Sequence, residues 1–133
     1  HGGKRFNMIF GIGVDLVEVA RLEQGLARYG EHYADRILAP SEHAGFFASN
    51  EPARFLAKRF AAKEAFAKAA GTGLRHPLTL RNIAVQHTAL GQPQFSLSAE
   101  IEHWLNTRHI AAWHLSISDE RSHVIAYAIL ERA

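Results

Sequence analysis

Asp15, Glu64 and Lys68 have the types and spacing that could do chemistry. Glu64 and Lys68 stand one turn apart in residues 54–73, RFLAKRFAAKEAFAKAAGTG, which read as one long helix stopped by a glycine pair. They share a side with Ala57 and Ala61, and those short side chains are expected to leave that side low and open. Asp15 closes the alternating stretch MIFGIGVD. Ile9, Gly11, Gly13 and Asp15 point one way there, so two glycines clear the face that carries the carboxylate. Glycine inside a strand marks close approach by a ligand or by another backbone, and both readings stay open. Carboxylate oxygens suit a hard cation such as Mg²⁺, which takes one or two of them and fills its shell with water and substrate phosphate. On that reading Asp15 and Glu64 are metal ligands, and Lys68 is a counter-charge for phosphate oxygens. On spacing alone the better reading of Glu64 and Lys68 is a solvated ion pair, worth roughly a few tenths of a kcal/mol.

Other chemistries find less support. Gly71, Thr72 and Gly73 could offer backbone N–H groups, but they follow a helix instead of preceding one, so they are no P-loop. The nine histidines show no compact zinc spacing, and the absence of cysteine removes thiolate sites and disulfides. His114, Ser116 and Ser118 alternate along a strand and so lie side by side, without the pairing a nucleophilic triad needs. Arg54, Lys58, Arg59 and Lys63 could form a nucleic-acid surface, but the overall charge opposes it. Residues 1–7, HGGKRFN, read as an addition ahead of Met8, the single methionine, with the domain spanning 8–133. Without Lys4 and Arg5 the 15 basic residues fall to 13, matched by 13 acidic ones. No apolar run approaches the roughly 20 residues of a membrane span. The expectations are a cytoplasmic protein with no nucleic acid and no membrane among its partners.

The elements that must position these residues follow from periodicity. The 133 residues suffice for one domain with a real core. Residues 8–15 read as a strand and 17–29 as a helix. Leu16, Val19, Ala20, Leu22 and Leu26 face inward on that helix, Arg21 and Arg28 share one face, and Gly30 ends it. A helical turn at 33–38 stops at Pro40, and Ser41 is expected to cap a helix running to Ala48. Residues 82–87 and 94–97 read as a hairpin, and Ser98 as the cap of a helix over 99–108. The last strands are 112–118 and 123–130. The second is apolar on both faces and is therefore expected at the centre of its sheet. The fold class is α+β: a compact single domain with a small, mostly antiparallel sheet packed against a long central helix.

Three segments combine into something more specific: GIGVDLVEVAR at 11–21, FLAKRFAAKEAFAKAAGTG at 55–73 and HLSISDE at 114–120. In this order and spacing the chain, from Met8 to its end, resembles the holo-[acyl-carrier-protein] synthases, the small bacterial 4′-phosphopantetheinyl transferases. The resemblance implies transfer of the 4′-phosphopantetheine arm of coenzyme A to a serine of apo-acyl carrier protein, releasing adenosine 3′,5′-bisphosphate. It implies Mg²⁺ on Asp15 and Glu64, coenzyme A phosphate on Lys68, and a nucleotide bordered by Gly71, Thr72 and Gly73. It implies carrier binding by Arg21, Arg28 and Arg36. It also implies a homotrimer with active sites between subunits. The last strand, through Ala126 or Tyr127, is the expected subunit contact.

Two positions depart from the family pattern. Gln92 stands where a lysine is frequent, which removes one basic contact to coenzyme A. Asp119 stands where many members have histidine, so either it takes that role beside coenzyme A or the role is absent. Among the carboxylates, Glu64 ranks ahead of Asp15 and Asp119 as acceptor of the serine proton. A non-catalytic Mg²⁺-nucleotide binding module would use the same Asp15, Glu64 and Lys68.

Overall fold

The structure is a computed structural model whose described residues are 8–133, so the expectation for residues 1–7 lies outside the described residues. The chain runs β1 (Met8–Glu18), α1 (Val19–Tyr29), α2 (Glu31–Ile37), a 3₁₀ turn (Pro40–Glu42), α3 (His43–Ala48) and the long α4 (Pro52–Ala70). It continues through β2 (Ile83–His87), β3 (Pro93–Leu97), α5 (Ala99–Asn106), β4 (Ile110–Asp119) and β5 (His123–Arg132). Strands β1, β5 and β4 pair antiparallel in that order, and β2 and β3 form a separate antiparallel hairpin. The α+β expectation holds, with the three-stranded sheet lying on α4 and β5 central.

Helix α4 starts with Pro52 in its first turn, where no backbone donor is needed. It ends at Gly71, whose φ of 84° is left-handed and therefore suits glycine. Leu56, Ala57, Ala61, Ala62, Ala65 and Phe66 are all fully buried. The low side at Ala57 and Ala61 is therefore covered, contrary to the expectation that it stands open. The glycines show how closely β1 approaches farther along the helix. A Cβ on Gly11 would lie 1.9 Å from the Ala69 carbonyl oxygen, and one on Gly13 would lie 1.9 Å from that of Ala65. The close approach is thus between two backbones, β1 lying directly on α4.

Several boundaries differ from expectation. β1 runs on to Glu18 because its pairing with β5 continues through Leu16–Ile125, Val17–Val124 and Glu18–His123. Val17 is consequently a buried strand residue, whereas Leu16 and Ala20 are exposed. Helix α1 has no side-chain cap; the Val19 N–H donates instead to the Ser122 carbonyl at 2.9 Å. Ser41 sits inside the 3₁₀ turn, and the Glu42 carboxylate does the capping by accepting the Ala39 N–H at 2.8 Å. Ser98 caps α5 as expected, accepting the Ile101 N–H at 3.3 Å.

The two faces of the sheet differ sharply. Val124, Ala126, Ala128 and Leu130 are fully buried on the α4 side. On the other face Ile12, Leu16 and Tyr127 are 59 %, 63 % and 49 % exposed. Of the two positions expected at a subunit contact, only Tyr127 is therefore available; Ala126 belongs to the core.

Candidate active site

Asp15 follows Gly13 on the same face of β1 and so points at α4. Because the glycines let β1 settle on the helix backbone, Asp15 reaches its side chains. Lys68 Nζ lies 3.0 Å from Asp15 Oδ1 and also donates to the Val14 carbonyl at 3.1 Å. The Asp15 side chain is only 14 % exposed, and its Oδ2 is buried with no hydrogen-bond partner. A buried, unpartnered carboxylate oxygen is costly unless something else satisfies it.

Glu64 stands one turn before Lys68 and is partly buried. Burial pushes its carboxyl above the ordinary glutamate range, the charge of Asp15 adds to the rise, and Lys68 and Arg21 oppose it. Two carboxylates thus repel each other across the β1–α4 contact, one keeping an empty lone-pair site and the other an enhanced proton affinity. Both features are what a small hard cation would relieve, so Asp15 and Glu64 fit Mg²⁺. Among the described residues no group of three histidine or carboxylate side chains converges. The pair is a two-carboxylate site, whose remaining positions fall to water and substrate oxygens.

The other expected residues separate into groups. The Gly71 and Gly73 N–H groups are spent on the Lys68 and Ala67 carbonyls, at 3.0 and 3.1 Å, and the Thr72 hydroxyl donates to Gly73 O. That turn follows Lys68 directly, and the N–H groups of its two glycines close the helix. Arg21, 5.5 Å above the Phe60 ring, is near enough to Glu64 to lower its proton affinity and so lies at the edge of the site. Arg28 stacks over Tyr29 farther along α1. Arg36, in the last turn of α2, lines a cleft of about 490 Å³ with Tyr29, His32, Tyr33 and Asp35.

Asp119 is not beside Asp15. It ends β4 and is held by Arg54 and Lys58, with Lys58 Nζ 3.0 Å from its Oδ2. Partial burial raises its carboxyl, but the hydrogen bonds and charges of Lys58 and Arg54 outweigh this and hold it below the ordinary aspartate range. The stretch from Arg54 to Glu64 is about 15 Å of helix, so these are separate clusters within one protomer.

Sequence reasoning missed a buried network beneath the site. Lys63 Nζ is fully buried and donates to Glu42, to Ile37 O at 2.7 Å and to Leu80 O at 2.9 Å. Glu42 also accepts the Val85 N–H at 2.8 Å and lies 3.1 Å from Arg59 Nε. Burial pulls Lys63 down to about 8 against the Glu42 charge, which favours the ammonium. The network fixes the side of α4 next to Glu64, and it removes Arg59 and Lys63 from any nucleic-acid surface. Its only signal in the sequence was a glutamate just after Pro40, which also suits a turn.

A cleft of about 690 Å³ lies between the starts of α1 and α4 and is lined by none of Asp15, Glu64 and Lys68. The carboxylate pair lies at the β1–α4 contact, beside the half-exposed side chain of Lys68.

Comparison with known proteins shows the family of the chain. Residues 11–128 match the family model of the 4′-phosphopantetheinyl transferase superfamily. The holo-[acyl-carrier-protein] synthase of Thiobacillus denitrificans is 58 % identical over 95 % of this chain and 96 % of its own. The crystal structure of the Neisseria meningitidis holo-[acyl-carrier-protein] synthase superposes with a TM-score of 0.91 at 44 % identity, covering 94 % of this chain and all of that one. The Bacillus anthracis holo-(acyl-carrier-protein) synthase, solved in complex with coenzyme A (3′,5′-ADP), gives 0.79 at 32 % identity over 95 % of this chain and 99 % of that one. The chain therefore belongs to the 4′-phosphopantetheinyl transferase superfamily and, within it, to the holo-[acyl-carrier-protein] synthases.

Proposed function

We propose that this chain transfers the 4′-phosphopantetheine group of coenzyme A to a serine of apo-acyl carrier protein and releases adenosine 3′,5′-bisphosphate. The serine Oγ forms a new bond to the phosphorus that carries the pantetheine arm. The bond from that phosphorus to the oxygen bridging to the adenylate breaks, and the bisphosphate leaves. The observation that carries the reading is the buried, unpartnered Asp15 Oδ2 beside Glu64 and Lys68, in a chain of this family.

Asp15 and Glu64 would hold Mg²⁺, whose contribution is to neutralise charge on the pyrophosphate oxygens. Lys68, held by the Val14 carbonyl, supplies a second positive contact without having to reorganise. Glu64, with its raised proton affinity, is better suited to take the serine proton than Asp119, whose carboxyl is held low by two cations. Arg21, Arg28 and Arg36 present positive charge to the acidic carrier. The enzyme works in the cytoplasm as a homotrimer. The exposed sheet face at Ile12, Leu16 and Tyr127 is the surface a second copy covers, and that copy completes the site at Asp15 and Glu64.

The test is to incubate the protein with coenzyme A, Mg²⁺ and apo-acyl carrier protein and weigh the carrier by mass spectrometry. A gain of one phosphopantetheine is expected. Coenzyme A that binds and is not consumed would instead identify a non-catalytic nucleotide-binding module.

A further inference from the structure

Glycine is a poor residue for the interior of a helix, yet Gly25 stands buried in α1. The reason is Tyr33 on α2. A Cβ on Gly25 would lie 2.1 Å from Tyr33 Cζ and 2.4 Å from its Cε1 and Cε2, so the ring occupies the place a side chain would take. The joint between the two helices is Gly30, at a φ of 62°, and a Cβ there would meet nothing. The tilt of α2 against α1 is therefore set by the ring on Gly25 and not by crowding at the turn. Of Glu31, His32 and Tyr33, which open α2, Tyr33 alone is not exposed. The far end of α2 is fixed separately, by the buried Ala34 and Ile37 and by Lys63 Nζ on the Ile37 carbonyl at 2.7 Å.

The same ring is the centre of a stack that reaches two of the arginines. Its centroid lies 6.4 Å from that of Tyr29, with the rings nearly parallel at 15°. Arg28 stands over Tyr29, 5.3 Å from the ring centroid. Arg36 shares the cleft of about 490 Å³ with both tyrosines. Arg28 follows Gly25 by three residues on α1, and Arg36 follows Tyr33 by three residues on α2, so each arginine is one turn from the contact. The contact between Gly25 and Tyr33 thereby sets the spacing of the backbone that carries the two cations.

We propose that Tyr33 is a positioning residue for carrier binding: its ring, seated on Gly25, holds α2 against α1 and presents Arg28 and Arg36 as one preset basic surface. The inference rests on the carrier reading above and names the part that shapes that surface. Tyr33 takes no part in bond making. An acidic partner that meets a preset pair of cations pays less ordering cost than one that must first bring α2 into place. The ring does this, and the hydroxyl is not required for it.

The test is a set of variants in the transfer assay. Tyr33→Ala removes the ring, and Gly25→Ala pushes it off α1. Each is expected to raise KM for the carrier about tenfold, the cost of ordering one or two side chains on binding. KM for coenzyme A should be unchanged and kcat should stay within about twofold, which also shows that the variants are folded. Tyr33→Phe keeps the ring and should match wild type. In the Tyr33→Ala background Gly25→Ala should add nothing, because the methyl group then meets no ring. If Tyr33→Ala does not fold, Tyr33→Leu takes its place with the same expected split between the two KM values. A carrier KM that stays unchanged without the ring overturns the proposal, as does an equal rise in both KM values. So does a loss in Tyr33→Phe as large as that in Tyr33→Ala, or an additive loss in the double variant. The carrier surface itself fails by a different result, a normal carrier KM in Arg28→Glu. An impaired Arg28→Glu beside unimpaired ring variants sinks this proposal alone.

Discussion

At the scale of single residues, the site is two carboxylates held closer than they would choose. Asp15 and Glu64 were legible from the sequence because one ended a glycine-cleared strand and the other stood a turn before a lysine. That Asp15 Oδ2 is left unpartnered was not legible, because it depends on how closely β1 approaches α4. Loss of either carboxylate should be severe: Asp15→Ala or Glu64→Ala is expected to lower the transfer rate by about 100-fold or more while the far-ultraviolet circular dichroism stays native. A near-normal rate with normal Mg²⁺ dependence would remove that residue from the site. The raised Glu64 carboxyl also has a stability consequence. The folded protein binds this proton more tightly than the unfolded chain, so stability falls as pH rises from the ordinary glutamate range through the folded value. Without added metal, Glu64→Gln is therefore expected to melt above wild type at pH 7, with the gap closing below the ordinary glutamate pKa. A Glu64→Gln variant melting below wild type at pH 7 would contradict the account of its environment.

At the scale of elements, the proposed site depends on β1 lying directly on α4. The sequence showed both elements and the glycines between them, but two readings of the glycines survived, a ligand or a backbone. The structure assigns Gly11 and Gly13 to the backbone reading, and the proposed cation site begins two residues on, at Asp15. Gly13→Ala places a Cβ against the Ala65 carbonyl and is expected to cost about 3 kcal/mol, read as a lower urea midpoint. An unchanged midpoint would mean that the contact is looser than described. The boundary of α1 escaped sequence reasoning because its first N–H is satisfied by Ser122, a residue far away in the chain. The arginines of α1 and α2 are not equivalent, since Arg21 also acts on Glu64. Arg28→Glu is therefore the cleaner test of carrier docking. It should raise KM for the carrier and leave KM for coenzyme A alone, with added salt weakening wild-type turnover. Equal changes in both constants would argue against this surface.

At the scale of the whole molecule, the apolar alternation of β5 placed it centrally and the structure agrees, but alternation cannot say which face meets a helix and which meets another chain. The register answers that: Ala126 pairs beside Asp15 on the α4 side, while Tyr127 pairs beside Val14 on the exposed face. Tyr127→Glu is expected to lower the mass measured by light scattering and the activity together, whereas Ala126→Glu would report only on folding. A fully active monomer at assay concentration would refute the shared-site trimer. The central claim is that Asp15 and Glu64 form one cation centre for phosphopantetheine transfer. Its most direct measurement is the rate of carrier mass gain as a function of Mg²⁺ concentration, in wild type and in Asp15→Asn side by side. Wild type should saturate with Mg²⁺ and lose transfer when the metal is chelated, and Asp15→Asn should stay near background or need far more Mg²⁺. Identical Mg²⁺ curves, or full wild-type transfer with the metal removed, would contradict the account.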